Sequence, residues 1–219
     1  MSTQSTISPT TTGQQQASGV ERFAAVCAVL AGIVGFLYSI SFVVLKIDVL
    51  TALCLMLGGL LATVALSGLY SRVRQVETNL ASWAWILGVV GALGAAIHGG
   101  YDLANAIHPP APNFAQAIAS LPSSIDPRGL LTFGVAGLSF FGFAWLIGRS
   151  ASFSRPMSYL TYLLALLLVV LYLARLIILD AKSPVIAGVG GLSGFIVNPL
   201  WYLWLGAMLL QGRKKAAGA

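Results

Sequence analysis

Six long apolar runs follow one another along this 219-residue chain, with only short polar stretches between most of them. At 1.5 Å of rise per residue, about 20 residues of helix cross the roughly 30 Å hydrocarbon core of a bilayer. Inside that core a backbone must satisfy its own hydrogen bonds, so a run of this length is a helix. The runs lie at 23–45, 49–70, 81–107, 129–148, 157–179 and 185–210. They predict an all-α fold, an integral membrane bundle of six transmembrane helices. Only 8% of the residues are charged, against about 25% in an ordinary soluble domain, too few to cover a water-facing surface. Most of the connections are tight, so consecutive helices are expected to pack as antiparallel neighbours.

Three regions follow from this pattern. Residues 1–21 are a polar Ser/Thr/Gln-rich tail with nothing to bury, expected to be disordered and cytoplasmic; 22–211 hold the six-helix transmembrane domain; 212–219 form a short basic cytoplasmic tail. A secretory signal places basic residues before a short apolar stretch, whereas here a polar tail precedes a long one, so the first helix is expected to remain as an anchor. Eight cations (Arg22, Arg72, Arg74, Arg149, Arg155, Arg213, Lys214 and Lys215) flank one side of the predicted bundle, against Lys46, Arg128 and Lys182 on the other. Lys and Arg are retained on the cytoplasmic side of short loops, which predicts an N-in/C-in protein of the plasma membrane. The net charge of +6 is scattered rather than gathered on one face, so nucleic acid is not an expected partner and the lipid bilayer is.

The longest connection, 108–128, has prolines at 109, 110, 112, 122 and 127. These rule out a long regular helix but leave room for a short one from Asn113 to Leu121, lying along the interface, where it would seal the bundle or cover an outward-facing cavity as a lid.

Ionisable groups inside a span cost at least a few kcal/mol unless paired or hydrated, which makes them the first place to look for function. The third span carries His98, Asp102 and Asn105 at i, i+4 and i+7, on one helical face. Gly94, Gly91, Gly88 and Ala84 continue that face, and small residues let helices approach closely in lipid, so it is expected to look into the bundle. From the centre of the span, His98 lies about 6 Å and Asp102 about 12 Å toward the outer surface. Arg175 in the fifth span lies at a comparable depth, and an Asp102–Arg175 ion pair is the expected way for both charges to be tolerated.

The sixth span contributes Asn198 beside Pro199, with Gly190 and Gly194 at preceding i−4 steps. Proline weakens the backbone bonding of the turn before it, and broken, glycine-rich helices serve both close packing and substrate sites. Trp83, Trp85, Trp204 and Tyr70 fit an interfacial belt, while Trp201 and Tyr202 lie deeper. Cys27 and Cys54 sit inside apolar runs and read as small packing residues.

No catalytic signature accompanies these residues. Zinc hydrolysis needs three suitably spaced ligands, and His98 and His108, ten positions apart on one stretch, do not form a haem sandwich. Neither a G-x-S-x-G serine elbow nor a phosphate-binding G-x-x-x-x-G-K loop is present. No metal or cofactor is therefore assigned.

With HGGYDLANAIHPP (98–110) and NPLWYLWLG (198–206) in view, the chain resembles small multi-pass bacterial membrane proteins of an uncharacterised family. The resemblance implies a six-helix bundle in a bacterial plasma membrane and carries no reaction. Three readings stay open. The leading one is a non-enzymatic protein that binds or passes a small molecule through an outward-facing polar pocket of His98, Asp102, Asn105, Arg175 and Asn198. The second is a structural or assembly subunit whose polar residues lock helices together and whose glycine faces meet a membrane-protein partner or a second copy. The third is an intramembrane enzyme with His98 as general base, oriented by Asp102.

Overall fold

The structure, a computed structural model, describes residues 11–109, 125–178 and 183–216. Six helices in it are long and apolar enough to cross a membrane: α1 (Gly19–Leu45), α2 (Asp48–Val73), α3 (Thr78–Ile107), α4 (Leu130–Arg149), α5 (Arg155–Ile177) and α6 (Pro184–Gln211). Among the described residues there is no strand. Helical backbone extends α1 back to Thr11 and α6 on to Ala216. The short interfacial helix expected over Asn113–Leu121 lies outside the described residues, as do 1–10 of the N-terminal tail.

The outer faces are strongly apolar. Leu30, Ile33 and Leu37 on α1, Ile86, Leu93 and Ile97 on α3, and Leu163 and Leu166 on α5 are all exposed. Contiguous apolar surface of that extent is unfavourable in water and favourable in hydrocarbon, so the protein is embedded in a membrane.

Each helix packs on the next in sequence, and α6 returns to α1, closing a ring in the order 1-2-3-4-5-6. Hydrophobic driving force is weak between helices already in lipid, so close backbone approach does much of the work. A methyl group on Gly59 of α2 would lie 2.5 Å from the Ala92 carbonyl of α3. One on Gly99 of α3 would strike the backbone of Ala52 and Met56 on α2. Gly32 of α1 meets the Pro199 carbonyl of α6, and Gly206 of α6 meets the Ala25 carbonyl of α1. The smallest residue type thus stands where two backbones nearly touch.

Packing differs between the two ends of the ring. At the end where the chain enters α1 and leaves α6, here the terminal end, Arg72 at the close of α2 makes two hydrogen bonds to Glu21 of α1, at 2.9 and 3.0 Å, and a third to the Leu209 carbonyl of α6 at 3.3 Å. The twelve largest fully buried side chains all fall in the terminal half: Leu66, Leu69 and Val73 on α2; Phe143, Leu146 and Ile147 on α4; Met157, Thr161 and Leu164 on α5; Trp201, Leu205 and Leu209 on α6. Three buried polar bonds cross-link the helices there. Trp201 Nε1 donates to Thr161 Oγ1 at 2.8 Å, Ser139 Oγ to the Ala84 carbonyl at 2.6 Å, and Ser158 Oγ to the Ala144 carbonyl at 2.7 Å. The opposite, far end contributes none of those twelve side chains, and its buried residues include Ser39, Ser41, Ser193 and Asp126.

Candidate functional site

The far half of α3 carries the principal polar pair. His98 and Asp102 are one turn apart, and His98 Nε2 lies 3.3 Å from Asp102 Oδ2. The face beneath them is small, and it packs against α4: a methyl on Gly91 would lie 2.8 Å from Ala136 Cβ, and one on Gly88 would lie 2.7 Å from Ser139 Oγ. That close approach directs the face into the bundle, in accord with the sequence pattern. Even so, the pair is not sealed, because the His98 side chain keeps 22% of its surface exposed and that of Asp102 keeps 48%.

The head of α4 supplies a second carboxylate. Asp126 is fully buried, and it accepts hydrogen bonds from Leu131 N at 2.8 Å, Thr132 N at 3.0 Å and Thr132 Oγ1 at 2.6 Å. A helix start leaves its first N–H groups without intrahelical partners, and in a buried setting a carboxylate is the strongest group to satisfy them. The chain reaches this start through a tight turn, with Arg128 at φ 59° and Gly129 at φ 80°. Glycine is required at 129 for two reasons. Its φ is left-handed, and a Cβ there would run into the Phe133 ring and come within 3.1 Å of Arg175 Nη1.

Arg175 therefore sits against the head of α4. Its guanidinium carbon lies 5.3 Å from the centre of the Phe133 ring, within cation–π range. The Asp102–Arg175 ion pair expected from their depths is not formed: among the described residues the ion pairs are Arg72–Glu21 and His98–Asp102. Depth along two spans fixes height but not direction around the ring. Here α5 packs on α4 rather than on α3, and Arg175 turns to the nearer aromatic ring.

His98, Asp102 and Arg175 all lie in the far half of the ring, with the head of α4 between α3 and α5: a Cβ on Gly94 of α3 would lie 2.5 Å from Leu131 Cβ, and one on Gly129 would lie 3.1 Å from Arg175 Nη1. Tyr38 lies in the far half of α1.

The other two candidate residues take no part in these contacts. Asn105 is on α3 one turn beyond Asp102, partly exposed. Asn198 stands in the α1–α6 seam, where its Nδ2 is 3.2 Å from the position a methyl on Gly35 would take. Just before it, Leu192–Val197 form a wide π-type turn, as expected ahead of Pro199. Gly194 in that turn faces Ser39, whose Oγ bonds the Gly35 carbonyl at 3.2 Å. Trp201 and Tyr202 line no opening. Both are buried, with the Trp201 ring edge-on to Phe140 at 4.7 Å and to Tyr202 at 4.8 Å.

Sequence reasoning missed Asp126, Gly129, Phe133 and Tyr38. Asp126 had a readable signal: an Asp-Pro-Arg-Gly turn immediately ahead of an apolar run is a helix-start pattern. Tyr38 and Phe133 had none, since an aromatic residue within an apolar run does not reveal what it faces. Cys27 and Cys54 are free and buried, as packing residues. Among the described residues no three His, Cys, Asp or Glu side chains gather as a metal ion would need. The far half of the bundle offers a carboxylate–imidazole pair and a guanidinium on an aromatic ring, groups suited to holding a polar molecule. Comparison with family models, curated proteins and solved structures finds no match to this chain.

Proposed function

We propose that this is a multi-pass plasma-membrane protein with both termini in the cytoplasm, which binds or passes a small polar molecule at an outward-facing pocket centred on His98 and Asp102. The distribution of cations supports the orientation, because the tightly packed terminal end is also the side with eight basic residues against three. The observation that carries the functional reading is the uneven packing of the ring. Every one of the largest fully buried side chains lies in the terminal half, while the far half keeps a carboxylate 48% exposed within a membrane helix. A bundle sealed on one side and polar on the other has the form of a binding site open to one face of the membrane.

A helix clamp would bury and pair its charges, and Asp102 is neither deeply buried nor bonded to Arg175. An experimental structure in lipid nanodiscs tests the reading. It is expected to show ordered water or ligand density touching Asp102, continuous with the far surface; a dry far half with Asp102 enclosed by side chains would overturn it.

One observation favours an assembly role as a second reading. Gly188 and Gly191, in the far half of α6, have nothing within 4 Å of where a Cβ would stand, so that helix face meets no partner among the described residues. Cross-linking through a cysteine at position 188 reports whether a neighbour occupies it.

A further inference from the structure

At the terminal end, the outer surface where α4 meets α5 carries two arginines over an aromatic and aliphatic face. Arg149 closes α4 one turn after Trp145, and its guanidinium carbon lies 3.7 Å from the centre of the Trp145 ring. A guanidinium resting on a ring is held in place without using a hydrogen bond, so its N–H groups stay available to an acceptor. Arg155 opens α5, and both arginines are exposed. Two contacts fix these helix ends side by side. Ser158 Oγ of α5 donates to the Ala144 carbonyl of α4 at 2.7 Å, and farther in the rings of Phe141 and Tyr162 stand 6.3 Å apart. Phe141, Trp145 and Arg149 follow at steps of four on one face of α4, as Arg155, Tyr159 and Tyr162 do at four and three on α5. At 1.5 Å of rise per residue, each arginine stands about 10 to 12 Å beyond the Phe141–Tyr162 contact. Both therefore lie at one height above the same outer surface, on helices whose packed axes are typically about 8 to 10 Å apart.

The chain supplies no countercharge there. Of its six Asp and Glu residues, two stand at the terminal end, and both are engaged: Glu21 with Arg72, and Glu77 with the N–H groups of Asn79 and Leu80 at the start of α3. Asp48, Asp102 and Asp126 belong to the far end, and Asp180 follows α5 in sequence. Among the described residues neither Arg149 nor Arg155 enters an ion pair. Below the arginines the surface turns apolar, with Tyr159 70% exposed and Leu163 and Leu166 exposed beneath it. A soluble anion would match the cations and leave that face uncovered, whereas an anionic amphiphile matches both parts. We propose that this face holds an anionic glycerophospholipid, its phosphate between Arg149 and Arg155 and its acyl chains along α5 past Tyr159 to Leu163 and Leu166. The planar guanidinium suits a two-point contact to phosphate oxygens, and basic groups at a helix end attract anionic headgroups.

Native mass spectrometry of the full chain in a neutral detergent tests this, with phosphatidylglycerol and phosphatidylcholine as lipid probes and glycerol 3-phosphate as a headgroup without chains. Phosphatidylglycerol is expected to bind about tenfold or more tighter than phosphatidylcholine, and glycerol 3-phosphate should not displace it. Arg149→Gln and Arg155→Gln should each weaken phosphatidylglycerol about fivefold and leave phosphatidylcholine unchanged. Trp145→Leu, which alters no charge, should weaken it about threefold by freeing the Arg149 side chain. Arg22→Gln combined with Arg74→Gln removes as much charge from the same end as the two site variants together, and should leave binding unchanged. Both site arginines are exposed, so their variants should keep the wild-type unfolding midpoint. Equal binding of the two lipids, or as large a loss from the Arg22 and Arg74 pair as from the Arg149 and Arg155 pair, would overturn the proposal in favour of diffuse surface charge. Displacement by glycerol 3-phosphate would overturn it in favour of a soluble phosphate ligand.

Discussion

Asp126 and Thr132 are joined twice, the buried carboxylate accepting both the backbone N–H of Thr132 at 3.0 Å and its hydroxyl at 2.6 Å. With the bond from Leu131 N at 2.8 Å, this fixes where α4 begins and hence where Phe133 and Gly129 meet Arg175. Asp126→Ala strands these donors in a buried setting, and a loss of about 2 to 4 kcal/mol is expected. Asp126→Asn, which keeps one accepting oxygen, should lose about half as much. Thermal unfolding in detergent, followed by tryptophan fluorescence, measures both; equal stability of the alanine variant and wild type would show that the cap does not hold α4.

The Trp201–Thr161 bond joins α6 to α5 in the terminal half, and both residues are fully buried. Hydrogen bonds between membrane helices average about 0.6 kcal/mol and reach about 1.7. Thr161→Val, similar in shape but unable to accept from the indole, is expected to cost roughly 1 to 2 kcal/mol, because it leaves a buried N–H unpaired. Trp201→Phe should cost more, since it also opens a void beside Phe140. Stability of the two single variants, set against that of the double variant, separates the bond from the packing.

Two glycines predict opposite signs. A methyl on Gly99 meets the Met56 and Ala52 backbone, which cannot step aside as a side chain would, so Gly99→Ala should push α3 from α2 at a cost of about 1 to 3 kcal/mol. Gly188 has open space around it, and Gly188→Ala should be neutral or stabilising by about 0.5 to 1 kcal/mol through the better helix former. Paired unfolding midpoints check the contrast.

Arg72 ties α1, α2 and α6 together through Glu21 and the Leu209 carbonyl. The pair is partly exposed, at 16% and 29%, so its worth is discounted to about 1 kcal/mol or less. Arg72→Ala is expected to cost slightly more than Glu21→Gln, because only the former also releases the Leu209 carbonyl. A double-mutant cycle on unfolding gives the coupling directly.

The six helices were legible because the bilayer imposes a length and an apolarity that few other environments demand, and each helix boundary falls within a few residues of the apolar run that announced it. The inward face of α3 was legible from its small residues. Arg175 turns to Phe133 rather than to Asp102, since spacing along a span says nothing of which neighbour a side chain turns toward. The wide turn before Pro199 follows from proline chemistry, whereas those at Ile40–Leu45 and Leu130–Val135 have no proline to announce them. Asp126 lies just ahead of a span rather than inside one, so the cost of intramembrane charge does not single it out, yet its carboxylate holds the head of α4.

The central claim is that the far end of the ring opens to the outside around His98 and Asp102, and thiol accessibility at position 105 tests it most directly. The two native cysteines are buried, so Asn105→Cys provides the reactive thiol. A membrane-impermeant maleimide added to intact cells is expected to label that cysteine, and a bulky reagent able to fill the pocket should lower the labelling of a second cysteine introduced at His98. No labelling at position 105 from outside, with full labelling once the opposite face is exposed, would contradict both the orientation and the outward-facing pocket.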